Sequence, residues 1–443
     1  MKSLSNWDTT SVIEPPATPE SLKQVGLSAA FMSDSILRTL YVRGAMIGRD
    51  LAQFLCLPFR VIQESLKFLK VDKSVEVTGG DMVGEVSYRY SLTDMGRKRA
   101  VEAMDLCGYV GPAPVPIEDY VEQTYRQAVT GIGCTPEQLI APFSHLVVRE
   151  EMFNALGPAI VSGRSVFIYG PPGNGKTAMA RAIGEFMNTS GGAIYVPHAF
   201  IADGNVVTLY DPALHVVDDT PDDRIDDGDA TIRRLLSSGG YDARWVRIKR
   251  PVIVTGGELT LDMLDLRYNS ESKYYQAPIH FKANGGVFLI DDFGRQIVRP
   301  KELLNRWILP LEDRHDFLTV SSGKKIQVPF EQLIIFSTNL DPKELVDDAF
   351  LRRIRHKVQI YAPSRDVYEK IFYSVAKRLG MTQCPEAVDY LYERYYLRGR
   401  SPRASDCRDL LEIVQSICRY RRQPVHLTRD LMIEAANTFI PEF

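Results

Sequence analysis

The strongest indication of the fold is the stretch SVFIYGPPGNGKTAMARAIGEFM (165–187). Its first residues are apolar and β-type, as in a buried strand, and its last residues have the composition of a helix. Between them, GPPGNGKT (170–177) fits the pattern G-x-x-x-x-G-K-[ST]. Strand, loop and helix in this order form the context that a phosphate-binding loop requires. The stretch therefore predicts a nucleotide site, and the alternative is a glycine-rich turn between a strand and a helix.

Each position of this loop has a physical role. Gly173 and Gly175 let backbone N–H groups turn toward phosphate oxygens, and Lys176 reaches the β- and γ-phosphates. Thr177 offers its hydroxyl to Mg²⁺, while the helix N-terminus adds the positive end of its dipole. ATP with Mg²⁺ is the predicted ligand. The predicted contact residues are Gly170, Pro171, Pro172, Gly173, Asn174, Gly175, Lys176, Thr177 and Ala178.

A second apolar run, VFLIDDFGR (287–295), ends in two adjacent carboxylates. Neighbouring negative charges repel and burial penalises both, so they need a cation or a water to face. We predict that Asp291 completes the Mg²⁺ site with Thr177, and that Asp292 orients the attacking water or accepts its proton. Because aspartate is one methylene shorter than glutamate, we expect slow hydrolysis. The alternative is a nucleotide-gated switch that scarcely hydrolyses.

A third apolar run, IIFSTN (334–339), ends in a polar amide. Asn339 is predicted to hold the water or the γ-phosphate, and the alternative is a cap at the end of a strand. Apolar runs alternate with helical stretches from about 119 to 361, which predicts an α/β fold with a mainly parallel sheet. The runs lie at 165–170, 193–200, 287–292 and 332–339.

The rest of the chain divides by composition. Residues 1–27 are rich in Pro, Ser and Thr and predict a mobile tail. Residues 28–106 predict three helices, two strands around a glycine-containing turn and a capped helix, an order that resembles a winged helix-turn-helix. A proline-rich connector is predicted at 107–118, followed by the α/β core at 119–361 and an all-helical part at 362–443.

Two partners remain open for the winged helix-turn-helix. Residues 28–105 hold 11 Lys and Arg against 10 Asp and Glu, a small positive balance for a domain that binds DNA phosphates. Arg60, Lys67 and Lys70 lie on the predicted recognition helix. We favour docking to a protein or self-association, with DNA binding as the alternative.

The bulk composition limits the class of protein. The chain has 443 residues, a net charge of -3 and 45% hydrophobic residues, as in ordinary globular proteins. Since it holds no apolar run long enough to span a bilayer and no CxxC pair among its scattered cysteines, we expect a cytoplasmic protein without membrane insertion. The aspartate-rich segment DDTPDDRIDDGD (218–229) predicts a solvated loop rather than a divalent-cation site.

Over roughly 119–443 the chain resembles the AAA+ ATPases. The matching segments are Walker A (GPPGNGKT), Walker B (VFLIDD) and sensor 1 (FSTN). The stretch 316–340, DFLTVSSGKKIQVPFEQLIIFSTNL, looks like the pre-sensor 1 hairpin of the MoxR, magnesium-chelatase, MCM and NtrC-type branches. The lid stretch GRSPRASDCRDLLEIVQ, from Gly399, is similar to the MoxR-type lid.

The resemblance implies further roles. Arg403 matches the sensor 2 arginine, and the alternative is a solvated arginine at a helix start. Arg353, with Arg352 close behind, matches the arginine finger that reaches a neighbouring subunit's γ-phosphate. A finger of this kind implies a homo-oligomer, with a hexameric ring favoured. Tyr274 and Tyr275 are candidates for a central pore, although aromatic pairs in protein cores are commoner.

The expected function is ATP binding and hydrolysis coupled to remodelling of an unknown partner protein. Two alternatives remain: a DNA-associated regulator or loader that binds through the winged helix, and a nucleotide-dependent scaffold with little turnover. Two departures from the family pattern limit the transfer of function. Walker B ends in Asp-Asp, and a winged helix at the N-terminus is not typical of MoxR proteins.

Overall fold

A computed structural model describes residues 13–80, 84–219, 240–345 and 348–440. Along the chain, a small helical part with its own sheet comes first. Two five-stranded sheets follow, and a group of helices ends the chain.

The N-terminal part combines helices with a three-stranded antiparallel sheet of order β1-β3-β2. Helices α2 and α4 completely bury apolar side chains, among them Ile36, Leu37 and Leu69. The helices and the hairpin follow each other in the order that the sequence predicts. The elements are α1 (Leu22–Val25), α2 (Ala29–Arg43), β1 (Met46–Ile47), α3 (Gly48–Phe54), α4 (Phe59–Val71), β2 (Val75–Gly80), β3 (Tyr88–Leu92) and α5 (Asp94–Leu106).

The segment before α2 differs from the predicted mobile tail. Within the described residues 13–27, the Ser21 side chain caps α1, and Val25 is completely buried. The backbone N–H of Asp242 donates to the carbonyl oxygen of Pro16 at 2.8 Å. A few apolar residues therefore hold this segment on the rest of the chain, although its composition resembles that of a tail.

The proline-rich stretch 107–118 makes backbone hydrogen bonds to the N-terminal part and to the core. It contains β4 (Val115–Pro116), which pairs in parallel with β7 of the second sheet. The Gly108 N–H donates to the Ser272 carbonyl at 2.8 Å, and the Ala113 N–H donates to the Leu55 carbonyl at 2.9 Å. The predicted connector is thus a strand and a set of backbone contacts between the N-terminal part and the core.

The central sheet is parallel throughout, in the order β10-β13-β16-β5-β17. Helix α9 follows β5 after the loop at 170–175. Its side chains Ile183 and Phe186 are completely buried in the core. The chain is an α/β protein, as the alternation of apolar runs predicts. The elements are α6 (Ile117–Arg126), α7 (Pro136–Ile140), α8 (Glu150–Ser162), β5 (Val166–Tyr169), α9 (Lys176–Gly191), β10 (Val252–Thr255), β13 (Val287–Ile290), β16 (Leu333–Thr338) and β17 (His356–Gln359).

Two features of this sheet differ from the sequence prediction. The run at 193–200 forms parts of two strands on either side of His198, and both strands lie outside the parallel sheet. The outer strands β10 and β17 were not among the predicted runs. Both are only four residues long, and alternating polar residues make β17 resemble an exposed segment.

A second, mixed sheet has the order β11-β12-β8-β7-β4; four of its strands come from the stretch between α9 and β13, and β4 comes from the proline-rich stretch. Its core includes stacked rings of Tyr120 and Phe200, with centroids 5.4 Å apart. The predicted hairpin forms as β14 and β15 and packs on this core through Leu318 and Val328. The strands are β6 (Ile194–Pro197), β7 (Ala199–Ala202), β8 (Asn205–Thr208), β9 (Trp245–Ile248), β11 (Arg267–Asn269), β12 (Tyr274–Gln276), β14 (His315–Thr319) and β15 (Lys325–Pro329).

Short helices surround the last core strands, and a helical group closes the chain. The short helices are α10 (Pro300–Arg306), α11 (Ile308–Asp313), α12 (Pro342–Leu345) and α13 (Asp348–Arg353). The C-terminal group, called the lid below, contains α14 (Arg365–Arg378), α15 (Pro385–Arg394), α16 (Ala404–Tyr420) and α17 (Arg429–Phe439). Its core is independent of the sheets and includes the fully buried Leu391, Leu410 and Val414.

A buried ion pair joins the N-terminal part to the segment just before Trp245–Ile248 (β9), which pairs with β6. Arg244 and Asp242 have side chains that are 3% exposed, and the guanidinium donates to the carboxylate at 2.7–3.1 Å. The Arg244 Nη1 atom also donates to the carbonyl oxygens of Val25 and Pro114. Since an unpaired buried charge is costly, these bonds fix the two parts relative to each other.

No helix within the described ranges is long and apolar enough to cross a bilayer.

Candidate functional site

Three strand ends meet beside the loop at 170–175. In the parallel sheet, Thr338 of β16 lies opposite Tyr169 of β5, and Ile290 of β13 lies opposite Phe336. The residues that follow these strands therefore lie at the same edge of the sheet. The sequence predicted this meeting from three separate segments, and the structure brings Lys176, Asp291 and Asn339 into one cavity.

Lys176 lies at the centre of this edge and is 7% exposed. Its Nζ donates to the carbonyl oxygens of Gly170 and Pro171, both at 3.0 Å, and to Oδ1 of Asn339 at 2.6 Å. Burial lowers the pKa of Lys176, while the charges of Asp291 and Asp292 act in the opposite direction. A partly desolvated ammonium among oxygen acceptors suits the binding of a strongly anionic group.

Thr177 and Asp291 form a donor set that fits Mg²⁺. The Thr177 hydroxyl donates to Oδ2 of Asp291 at 2.6 Å, so a hydroxyl oxygen and a carboxylate lie side by side. Mg²⁺ prefers oxygen ligands and is usually bound through one or two protein groups together with water and phosphate oxygens. The two side chains could therefore hold the ion at the predicted position.

Asp292 has an unusual backbone conformation, with φ of 49° in the left-handed region. Its Oδ1 accepts a hydrogen bond from Nδ2 of Asn339 at 2.9 Å. The side chain of Gln296 donates to the carbonyl oxygens of Asp291 and Asp292 at 2.8 and 3.1 Å. Gln296 was not predicted from the sequence, and its position five residues after Asp291 was the only available signal.

The loop itself needs its glycines. Gly173 and Gly175 have φ of 77° and 81°, a region that L residues rarely occupy. At Gly170 a Cβ atom would lie 2.0 Å from the carbonyl oxygen of Ile360, at the end of β17. The loop is therefore pressed against the last strand of the sheet.

The cavity has a volume of about 630 Å³ and extends from the loop to the lid. One wall is the segment 145–149 with Met152, and the other is helix α14. Most side chains far from the loop are apolar, which suits the flat ring of a nucleotide base. Apolar residues that line this part of the cavity include Val148, Met152, Ile360, Val367, Ile371 and Val375.

The first turn of α16 touches the loop directly. The Ala404 N–H donates to Oδ1 of Asn174 at 3.0 Å, and the Ser405 N–H donates to the Gly173 carbonyl at 2.8 Å. Arg403, the predicted sensor 2 residue, is the exposed N-cap residue of this helix. The arginine of α16 that lines the cavity is Arg408, whose guanidinium donates to Asp409 and which was not predicted from the sequence.

Arg352 and Arg353 lie away from this cavity. The Ser165 hydroxyl, at the start of β5, donates to the carbonyl of Arg353 at 3.4 Å, whereas the phosphate loop follows the end of β5. A four-residue strand separates the two places by about 13 Å. Arg353 Nε pairs with Glu312 at 2.7 Å. Both arginines, with Arg164 and Arg355, line a second cavity of about 380 Å³.

Of the two tyrosines predicted as pore candidates, Tyr275 is buried and Tyr274 is partly exposed. Tyr275 is 2% exposed, and its hydroxyl bonds to Ser321. Tyr274 packs edge-to-face on Tyr109, with ring centroids 5.6 Å apart. Both side chains have partners within the chain, and the pore role stays a prediction.

Ion pairs within the chain engage two basic residues on α4, the predicted recognition helix. Arg60 pairs with Glu20 at 3.2 Å, and Lys67 lies 3.7 Å from Glu85. On the same helix, Phe68 is 55% exposed and Val71 is 83% exposed. The outer face of α4 is therefore mixed in character rather than strongly basic.

The aspartate-rich segment 218–229 lies outside the described residues from 220 onward. Among the residues that are described, no group of three or more His, Cys, Asp or Glu side chains could hold a metal ion.

Residues 364–438, most of the lid, match a family described as a domain of unknown function (DUF8689). No curated protein matches this chain. A RuvB mutant from Thermotoga maritima is similar at 14% identity and a TM-score of 0.36, over 69% of this chain and 70% of that one.

Two other solved structures show a comparable likeness. NtrX from Brucella abortus is 15% identical with a TM-score of 0.39, and the match covers 69% of this chain and 58% of that one. Domain III of the replication initiation protein DnaA from Thermotoga maritima is 15% identical with a TM-score of 0.36, covering 68% and 97%. At these values the likeness does not bear on the function of this chain.

Proposed function

We propose that this chain is an ATPase of the AAA+ type, which couples ATP binding and hydrolysis to the remodelling of a partner protein. One observation carries the proposal: Lys176, the Thr177–Asp291 pair and the Asn339–Asp292 pair converge in a single cavity. An ammonium, a hydroxyl, two carboxylates and an amide are the groups that phosphoryl transfer to water requires.

The proposed roles follow from the geometry. Lys176 binds the β- and γ-phosphates, and the inward-turned N–H groups of the loop add further donors. Thr177 and Asp291 hold Mg²⁺, which would neutralise phosphate charge as it develops. The adenine ring binds in the apolar space between the segment 145–149 and α14.

Asp292 and Asn339 are the proposed water-handling pair. The 2.9 Å bond from Asn339 fixes one carboxylate oxygen of Asp292, which leaves the other to orient a water or accept its proton. The Gln296 side chain restrains the backbone carbonyls of both aspartates. The short aspartate side chain supports the expectation of slow turnover.

We further propose that the active form is an oligomer, with a hexameric ring favoured. The backbone carbonyl of Arg353 bonds to Ser165, at the end of β5 opposite to its own phosphate loop, which supports a role at the site of a neighbouring copy. A guanidinium there would stabilise the charge that develops on the transferred phosphoryl group. Arg352 is the second candidate for this role, and Arg403 remains a candidate sensor 2 residue.

A protein is the favoured partner, with DNA as the second candidate. Glu20 and Glu85 already pair with Arg60 and Lys67 of α4, and exposed Phe68 and Val71 suit an apolar contact. Affinity capture with an Asp292→Asn variant is expected to recover a protein. Salt-dependent binding of labelled duplex would instead support the DNA-associated regulator.

Isothermal titration calorimetry with ATP and Mg²⁺ tests the nucleotide site. We expect binding by the wild type and a loss of at least about 100-fold in affinity for Lys176→Ala, because a charge-assisted contact disappears from a buried site. Lys301→Ala is the matched control, since Lys301 is exposed on α10. Absence of binding in the wild type, or equal affinities in the two lysine variants, would refute the proposal.

A further inference from the structure

The first turn of α16 lacks a side-chain cap of its own. Arg403 occupies the N-cap position, and its side chain makes no capping hydrogen bond. The first N–H groups of a helix have no partner within the helix and must find one elsewhere. Here the phosphate loop supplies two partners, the Asn174 side chain and the Gly173 carbonyl. The loop therefore acts as the N-terminal cap of a lid helix.

A buried polar network begins at the next residue of this turn. Asp406 is 1% exposed and accepts a hydrogen bond from the Tyr396 hydroxyl at 3.0 Å. It also accepts two bonds from Arg400 Nη2 at 3.1 and 3.2 Å. The Tyr396 hydroxyl lies 3.0 Å from the Tyr368 hydroxyl. Burial and the nearby carboxylate raise the pKa of Tyr396, so its proton remains available for the bond.

This network connects both lid walls of the nucleotide cavity. Tyr368 belongs to α14, whose residues Val367 and Ile371 line the cavity on one side. Asp406 belongs to α16, whose residues Ser405 and Arg408 line it on another side. A buried, hydrogen-bonded network has a single favourable geometry, because each broken bond leaves an unsatisfied group.

We propose that the Tyr368–Tyr396–Asp406–Arg400 network sets the position of α16 on the phosphate loop, and that Asp406 and Tyr396 are positioning residues for nucleotide binding. The inference rests on the proposed nucleotide site and assigns to the lid a specific means of completing it. Its action is indirect, because Asp406 bonds to Tyr396 and Arg400, while the neighbouring Ala404 and Ser405 touch the loop.

A pair of tyrosine variants tests this inference. Tyr396→Phe removes the hydroxyl that bridges Tyr368 and Asp406. Tyr392→Phe is the matched control, since among the described residues the Tyr392 hydroxyl is buried without a hydrogen-bond partner. We expect ATP to bind about three- to tenfold more weakly to Tyr396→Phe, the effect of one lost buried hydrogen bond, and with unchanged affinity to Tyr392→Phe.

Amide hydrogen exchange gives a readout that a general loss of stability would not reproduce. In Tyr396→Phe the amides of Ala404 and Ser405 should exchange faster, while those of α17 keep the wild-type rate. Asp406→Asn should show the same local effect with a larger change in affinity. Unchanged or tighter binding by Tyr396→Phe, or faster exchange spread evenly over the lid, would overturn the inference.

The exchange measurement also separates this inference from the proposed function. If the wild type binds no adenine nucleotide, the proposed function fails, whereas faster exchange confined to Ala404 and Ser405 would still support the positioning of α16. If the wild type binds ATP and the two tyrosine variants behave alike, the nucleotide site stands and the network has no positioning role.

Discussion

At the scale of single residues, Asp292 combines a proposed catalytic role with a restricted backbone. Its φ of 49° lies in a region that Asn, Asp and Gly adopt far more easily than other residues. Asparagine is therefore the substitution that preserves the backbone while it removes the charge. A glutamate at this position would restore side-chain length but would disfavour the observed conformation.

We predict that Asp292→Asn keeps ATP affinity within about threefold of the wild type and loses about 100-fold or more in turnover, since general-base catalysis contributes on that order. Steady-state phosphate release measures the rate, and calorimetry measures the affinity. Asp262→Asn is the control, because Asp262 is exposed on a separate turn. Equal turnover by wild type and Asp292→Asn would exclude Asp292 from the chemistry.

The pH dependence of binding follows from Lys176. Burial lowers its pKa from the usual 10.5, and only the charged form binds phosphate well. Affinity for ATP should therefore be highest at neutral pH and should decline, as pH rises, before pH 10.5 is reached. Calorimetry over an alkaline series, with circular dichroism to confirm folding, makes the measurement. A flat affinity up to pH 10.5 would contradict this origin of the dependence.

The lowered pKa of Lys176 also makes the stability of the folded state depend on pH. The folded state penalises the charged ammonium, so the cost to stability is present below the lowered pKa and disappears as pH rises toward 10.5.

Much of the candidate site could be predicted residue by residue, because phosphate chemistry restricts the residue types. Lys176, Thr177, Asp291 and Asn339 each follow from a short motif with a physical reason. Gln296, Arg408 and Asp406 could not be found in this way. Their roles depend on which face of a helix or turn is buried, and single sequence positions do not contain that information.

At the scale of elements, a comparison of Gly170 with Gly175 distinguishes two costs of adding a side chain to the loop: backbone strain and a steric clash. Both have positive φ, but a Cβ at Gly170 would lie 2.0 Å from the Ile360 carbonyl oxygen. At Gly175 no atom lies within 4 Å of the added Cβ. Because φ is 141° at Gly170 and 81° at Gly175, a side chain strains the backbone at both positions, and the contact with Ile360 adds a further cost at Gly170.

We predict that Gly175→Ala lowers the free energy of unfolding by about 1 kcal/mol, the strain of left-handed backbone alone. Gly170→Ala should cost at least about 3 kcal/mol, because backbone must also move. Urea unfolding followed by circular dichroism measures both. Equal losses would show that the loop is not pressed against the last strand.

The elements were predicted where hydrophobic runs are long, and they were missed where strands are short. The three strands that end in the site were recognised from continuous apolar runs. Strand β17 alternates polar residues, and β4 has two residues that resemble a linker. Both strands form because neighbouring backbone offers hydrogen bonds, a tertiary cause that local composition does not reveal.

At the scale of the whole molecule, the role proposed for Arg353 predicts that sites are shared between copies. We predict that Arg353→Ala and Lys176→Ala are each inactive alone, and that an equal mixture regains roughly a quarter of wild-type turnover in a ring with random neighbours. The intact loop comes from one variant and the intact arginine from the other. Phosphate release by the mixture makes the measurement.

The matched control is a mixture of Lys176→Ala with Asp292→Asn. Both substitutions damage the same loop-side half of the site, so no pairing of neighbours restores a complete site. Activity in this control mixture would contradict a trans-acting Arg353. So would the absence of activity in the first mixture when size-exclusion chromatography shows mixed oligomers.

The buried Arg244–Asp242 pair has a mechanical consequence. Arg244 bonds to Val25 and Pro114 on one side, and on the other side it begins the short path through β9 to β10. Strand β10 pairs with β13, the strand that ends at Asp291. One short stretch of chain and one pair of strands thus join the N-terminal part to the strand before Asp291, so a partner bound at the N-terminal part would be mechanically coupled to the proposed nucleotide site.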